Sequence, residues 1–284
     1  FIASTDDHTA RPGTGYKQYE RRKMTFATGV KSKMWEYRYE AEDPNFPEIP
    51  KLTPGESQPD SERVSSFVYP GGILAVHANG RGKDEIWTAL KNKNVYGTSG
   101  PRILLWFNLI NSPEGQVPMG SEITMIQNPK FIVKAAGSFK QKPGCSNESI
   151  DSLSPERLEY LCAGECYNPS NEREAIERIE IIKITPQIYA GEAVTPLIQD
   201  PWKSIPCQKN GGCIIEFEDQ NFSRDSVYYV RAIQNPTPAI NGSSLSQRDS
   251  FELCKGSFRT DLKDDCLTMT NERAWSSPIY VNKP

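Results

Sequence analysis

The stretch GGILAVHANGRGKDEIWTALKNKNVYGTSGPRILLWFNLI, residues 71–110, contains the clearest change of periodicity in the chain. Residues 73–78, ILAVHA, are a short apolar run that suits a strand covered on both faces. KDEIWTALKNKN then takes a helical spacing, with Ile86, Ala89 and Leu90 on one face. Asp84 stands where an N-cap belongs. Lys91 and Lys93 fall in the last turn, where positive charge complements the helix dipole. Ser99-Gly100-Pro101 makes a turn, and an apolar strand follows it. Strand, helix and strand in that order predict a βαβ unit, so this half reads as α/β.

Downstream the texture becomes that of an all-β protein. FIVKAA (131–136), RIEIIKI (178–184), CIIEFE (213–218) and VYYVRAI (227–233) are β-rich runs separated by Gly, Pro, Asn and Ser. Ile215 and Phe217 alternate with Glu216 and Glu218, as in a strand with one buried face. The pattern predicts a β-sandwich with decorated loops. One helix is expected over 154–162, with Ser154 as N-cap, Pro155 at the first helical position and Glu156 in the first turn. Upstream, residues 1–8 read as a short buried strand. The stretch from about 16 to 70, punctuated by Pro44, Pro47, Pro50, Pro54, Pro59 and Pro70, reads as a long irregular excursion.

Composition narrows the function classes. A length of 284 residues allows one large domain or two ordinary ones. A net charge of −3 with both signs mixed gives no basic field for nucleic acid or anionic lipid. No apolar run approaches a membrane span. All seven cysteines (Cys145, Cys162, Cys166, Cys207, Cys213, Cys254 and Cys266) lie in the second half. Zinc sites use close thiolate pairs, often with histidine; Cys162 and Cys166 are one such pair, but no histidine follows His77. Cys207 with Cys213 and Cys254 with Cys266 look like bridges closing short loops, which implies a periplasmic or secreted protein. The odd cysteine is free or pairs outside the chain.

Chemistry-bearing residues are few. In Asp6-Asp7-His8 an extended backbone places Asp6 and His8 on one side, a carboxylate and an imidazole suited to a divalent metal. The plainer reading is a turn-capping Asp6 and a surface His8. His77 ends the ILAVHA strand as a metal ligand, acid/base group or phosphate donor, or as a buried structural histidine with a backbone partner. Arg81 and Arg102 suit fork-shaped binding of an anionic substrate, or are surface arginines. Residues 97–100, GTSG, offer either backbone N–H groups to a phosphate or a plain turn. Trp202, Tyr228 and Tyr229 suit carbohydrate stacking or a core.

FIASTDDHTARPG, the 71–110 stretch and ERAWSSPIYV together resemble a bacterial family of unknown function related to PHP (polymerase and histidinol phosphatase) metal-dependent phosphoesterases. PMGSEI, PGC, GECY, PLIQDPW and YYVRAIQNPTPAING extend the resemblance along most of the chain. It implies the C-terminal part of a PHP-like distorted α/β barrel over 1–110 and a disulfide-decorated β-sandwich over 111–284. It also implies divalent metal ions (zinc, manganese or iron) with Asp6 and His8 as the last ligands. The usual ligand set of that family does not assign His77. Its reading as a catalytic group rests on its place at the strand end, and that of Arg81 and Arg102 on a small anionic substrate rests on their guanidinium chemistry. Metal-activated water would attack the phosphate ester. The family's early His-x-His pair has no counterpart among two histidines. The expectation is therefore that an upstream part of the same protein, or a second chain, completes the barrel. The alternative is a non-catalytic binding or structural component of a cell-surface assembly on the same scaffold.

Overall fold

The computed structural model describes residues 2–4, 71–162, 164–208, 212–240 and 267–284. The 71–110 stretch forms β1 (Ile73–Val76), α1 (Lys83–Lys91), β2 (Val95–Thr98) and the start of β3 (Leu104–Ser112). The helix does not make a βαβ crossover. β1 and β2 are antiparallel, Ile73 opposite Thr98 and Val76 opposite Val95. Residues 77–82 carry the chain outward and α1 brings it back to the same end of β1, where the His77 N–H donates to the Asn94 carbonyl at 2.9 Å. A parallel partner would have required the helix to reach the far end of β1.

The return is set by the end of α1. Lys93 has a left-handed backbone, φ 59°. Its N–H donates to the Leu90 carbonyl and that of Asn94 to the Ala89 carbonyl, the paired bonds of a Schellman motif. At the other end the N-cap is Gly82, not Asp84. The Glu85 carboxylate folds back over Gly82, into the space a Cβ there would take. Only Ala89 of α1 is buried; Ile86 is 38% exposed and Trp87 65%. The expected fully covered strand, β1, is half-buried because it is a sheet edge, whereas all four residues of β2 are buried.

The remaining strands are β4 (Gly115–Pro118), β5 (Glu122–Thr124), β6 (Lys130–Ala136), β7 (Phe139–Pro143), β8 (Tyr167–Arg173), β9 (Ile176–Ile184), β10 (Ile198–Pro206), β11 (Gly212–Glu218), β12 (Ser226–Ile240), β13 (Leu267–Ser276) and β14 (Ile279–Asn282). The four runs expected to be strands lie in β6, β9, β11 and β12. An eight-stranded sheet runs β1-β2-β13-β12, with β9 and then β10 joined to β12, and β14 and then β5 joined to it as well. A four-stranded sheet runs β11-β6-β3-β4, and β7 pairs with β8. β3 crosses residue 110 and β2 pairs with β13, so segments read from sequence as a barrel part and a sandwich share one sheet.

The two larger sheets face each other over one core. Leu105, Phe107 and Leu109 on β3 and Phe131 and Val133 on β6 alternate inward with half-buried or exposed neighbours between them. They meet Ile179 and Ile181 of β9, Tyr228 and Val230 of β12, and Ala274 of β13. Phe131 stacks on Phe217 at 5.0 Å between ring centroids and tilts against Tyr228 at 4.8 Å. Trp202 meets Phe217 and Tyr228, so it and Tyr228 belong to the core and not to a carbohydrate platform.

The helix expected at 154–162 is α3 (Pro155–Cys162), and the Ser154 hydroxyl accepts from the Arg157 N–H at 3.3 Å. It follows an unforeseen short helix, α2 (Asn147–Ser152), capped by Ser146. Disulfides join Cys207 to Cys213 and Cys145 to Cys166, leaving Cys162 free. Such bonds fit an extracellular or otherwise oxidising environment. Cys254 and Cys266 lie outside the described residues. Of the expected N-terminal strand, residues 2–4 are described. Ile2 is 81% exposed, not buried, while the Ala3 methyl sits against Gly72 and Gly97. No helix among the described residues is long and apolar enough to cross a membrane.

One buried carboxylate links the sheets. Asp219, just after β11, pairs with the Lys183 ammonium and accepts from the Tyr228 hydroxyl, while its other oxygen accepts from the Asn221 N–H at 3.1 Å. Asp219→Asn leaves the Lys183 charge buried without its counter-ion. We expect a loss of about 3–5 kcal/mol in urea unfolding. Burial raises the Tyr96, Tyr228 and Tyr229 phenols, with the Asp219 carboxylate adding to it at Tyr228 and the Asp200 charge at Tyr229. Above pH of about 10 the unfolded chain releases these protons first, so stability falls as pH rises. A pH series of melting temperatures should show the decline, and Tyr228→Phe should make it shallower.

Candidate functional site

His77 follows the last residue of β1, at the end from which the chain leaves the sheet. Its Nε2 lies 2.8 Å from the Leu105 carbonyl oxygen. A carbonyl only accepts, so Nε2 carries the proton of this bond, and Nδ1 is the nitrogen left for other partners. The ring is bracketed by Tyr96 at 5.3 Å and Trp106 at 5.7 Å between centroids. Tyr96 is itself fixed, its hydroxyl donating to the Ile103 carbonyl at 3.0 Å. The Asn94 amide donates to the His77 carbonyl at 3.3 Å. His77 has the backbone partner expected of a structural histidine, but it is half-buried, not buried, and the same bond also orients the ring.

His77 lines a cleft of about 310 Å³ between the end of β1 and α1. Asp84, Glu85 and Thr88 come from the helix, and Asn92 and Asn94 from the turn that ends it. Two carboxylates and an imidazole make this cleft attractive to a cation or to hydrogen-bond donors and unfavourable for a bare anion. Sequence reading placed Asp84 as a cap and passed over Glu85. The signal was the adjacent Asp-Glu pair in the first turn, where a helix N-terminus favours negative charge.

The other predicted residues do not gather here. Arg81 and Arg102 are exposed, and neither lines the cleft. Asp6 and His8 lie outside the described residues. The turn at 97–100 is a plain turn: the Ser99 N–H donates to the Arg273 carbonyl at 2.9 Å and the Gly100 N–H to the Thr98 hydroxyl at 3.2 Å. The Ser99 hydroxyl donates to the buried Glu272 carboxylate. Among the described residues, Cys145, Cys162 and Cys166 are the one group of three side chains placed to share a metal, and two of them are joined in a disulfide. His77, Asp84 and Glu85 form no such group.

Fold and site thus define a β-sandwich with disulfide-pinned loops and a small acidic cleft beside its edge hairpin. Residues 1–143 match a family described as a protein of unknown function (DUF3604), and the chain belongs to it. No curated protein and no solved structure matches the chain.

Replacing His77 with Phe keeps the aromatic bracket but leaves the Leu105 carbonyl without its donor. Urea unfolding of His77→Phe should show a loss of about 1–3 kcal/mol, the cost of one unsatisfied buried acceptor.

Proposed function

We propose that the chain is part of a secreted or periplasmic metal-dependent hydrolase, a phosphoesterase of PHP type. In this reading a PHP-like α/β barrel is completed by an upstream part of the same protein or by a second chain. The observation that carries it is His77, with Nε2 held by the Leu105 carbonyl at the edge of a cleft that also holds Asp84 and Glu85. A histidine oriented through one nitrogen presents the other to substrate or metal in a defined direction. Its role here is to take or give a proton at Nδ1. The described residues do not by themselves compose a metal centre. The divalent ion (zinc, manganese or iron) is assigned to Asp6 and His8 with ligands from beyond the 284 residues. Arg81 and Arg102 would meet a small anionic substrate.

The second reading is a non-catalytic component of a cell-surface assembly. It is favoured by the aromatic bracket and backbone bond of His77, which suffice to explain a structural ring, and by the placement of both arginines outside the cleft.

Metal analysis and aryl phosphate hydrolysis, run on the protein with its upstream segment, separate the two. The hydrolase reading expects bound divalent metal that falls in the Asp6→Ala, His8→Ala double variant. It also expects turnover of p-nitrophenyl phosphate that drops about 10²–10⁴-fold in His77→Gln. Gln keeps a donor for the Leu105 carbonyl but supplies no base. A folded, metal-free protein without turnover would leave the assembly reading standing.

A further inference from the structure

Three cysteine sulfurs converge at one half-buried place in the molecule, and none of them lines the cleft. Cys145 precedes α2, Cys162 is the last residue of α3, and Cys166 stands just before β8. Cys145 and Cys166 form a disulfide, and the free Cys162 sulfur lies 3.2 Å from that of Cys166. All three sulfurs fall within 4.8 Å of one another and all three residues are half-buried, within reach of solvent. A disulfide holds two of the three, so they cannot ligate a metal as three thiolates. A third sulfur in contact with a disulfide sulfur is instead the arrangement required for thiol–disulfide exchange.

We propose that Cys162 is an internal exchange nucleophile, and that the bridge at Cys166 moves between Cys145 and Cys162. The Cys162 thiol gives its proton to water and its thiolate attacks the Cys166 sulfur. The Cys162–Cys166 bond forms, the Cys145–Cys166 bond breaks, and Cys145 leaves as a thiolate that takes up a proton. One disulfide and one thiol exist before and after, so no oxidant or reductant is consumed.

The setting permits the movement. Neither α2 nor α3 buries a single residue, which places this segment at the low-stability end of the fold. The Cys145–Cys166 bond spans 21 residues and ties the loop before α2 to the start of β8. Beside it the Gly144 N–H donates to the Cys166 carbonyl at 2.8 Å and the Asn168 amide to the Gly144 carbonyl at 2.7 Å. Exchange replaces that long cross-link by a short one within residues 162–166, and leaves α2 tied to β8 only through these hydrogen bonds and the pairing of β7 with β8. The cluster is thus a site of thiol chemistry whose state sets how tightly a helical flap is held.

Trapping tests it on the full chain. Protein purified without reductant is alkylated with N-ethylmaleimide at neutral pH, quenched in acid and digested with trypsin and a glutamate-specific protease. Cleavage at Arg157 and Glu165 puts the three cysteines on separate peptides. The proposal expects maleimide on both Cys162 and Cys145, with Cys166 bridged to the other partner in each case. Label on Cys162 alone overturns it. In Cys145→Ser, incubated with oxidised glutathione, which accepts the two electrons, Cys162 and Cys166 should be bridged and resist alkylation. Two alkylated thiols in that folded variant likewise overturn it.

Discussion

Asp219 stands just after β11, in the four-stranded sheet, and both side chains that pair with its buried carboxylate come from the other sheet. Lys183 is on β9 and Tyr228 on β12, which are hydrogen-bonded neighbours in register, Lys183 opposite Tyr228. The ion pair and hydrogen bond therefore form only when the two sheets meet at one offset. Apolar packing of Phe107, Phe131 and Phe217 against Tyr228 supplies the larger favourable term, but it tolerates small slips that a buried charge does not. Lys183 also lies 5.4 Å from the Trp202 ring centre, so the same polar contact fixes the aromatic edge of the core.

With that offset set, β12 distributes it through the molecule. Its fifteen residues pair with β9 along one edge and with β13 and then β14 along the other. β13 carries β2, and β2 carries β1. The cleft hangs from the end of that series, so its geometry rests on strands far away in sequence. On the solvent side, Arg231 of β12 pairs with Glu180 of β9 and Asp200 of β10, and Arg178 with Glu180 and Glu177. The two Arg231 pairs cross strands and the two Arg178 pairs lie within β9; each is worth little singly, but the cross-strand pairs disfavour register slips.

How far the sequence revealed this depended on which interactions were local. The alternation in Cys213–Glu218 and the apolar runs of β6, β9 and β12 are local properties, and they located those strands. Ser154 announced its helix because a cap bonds three residues on. The direction of β2 was not legible. It depends on the Schellman turn at Lys93, a residue type that does not advertise a left-handed backbone as glycine does. Nor was the Asp219 cluster legible, since its partners are brought in from distant strands. Cys162 and Cys166 stood out as a close pair, but the bond went to Cys145, which only the folding of β7 against β8 brings near. For the site, His77 was singled out correctly as lying at a strand end. The carboxylates facing it were hidden by an equally good local role for Asp84 as a cap.

The charges around that cleft constrain any ligand. Asp84 and Glu85 lie in the first turn of α1, and both line the cleft. A phosphate ester approaching them meets repulsion, and neither Arg81 nor Arg102 lines the cleft to offset it. An anionic substrate is therefore compatible with this place only if a cation arrives first or if the ester reaches His77 from outside the helix. In the first case metal and substrate should bind in that order. In the second, neutralising Asp84 and Glu85 should strengthen binding of a phosphate instead of weakening it. The electrostatics of two adjacent carboxylates thus make the phosphoesterase reading depend on a divalent ion more strictly than the imidazole alone would.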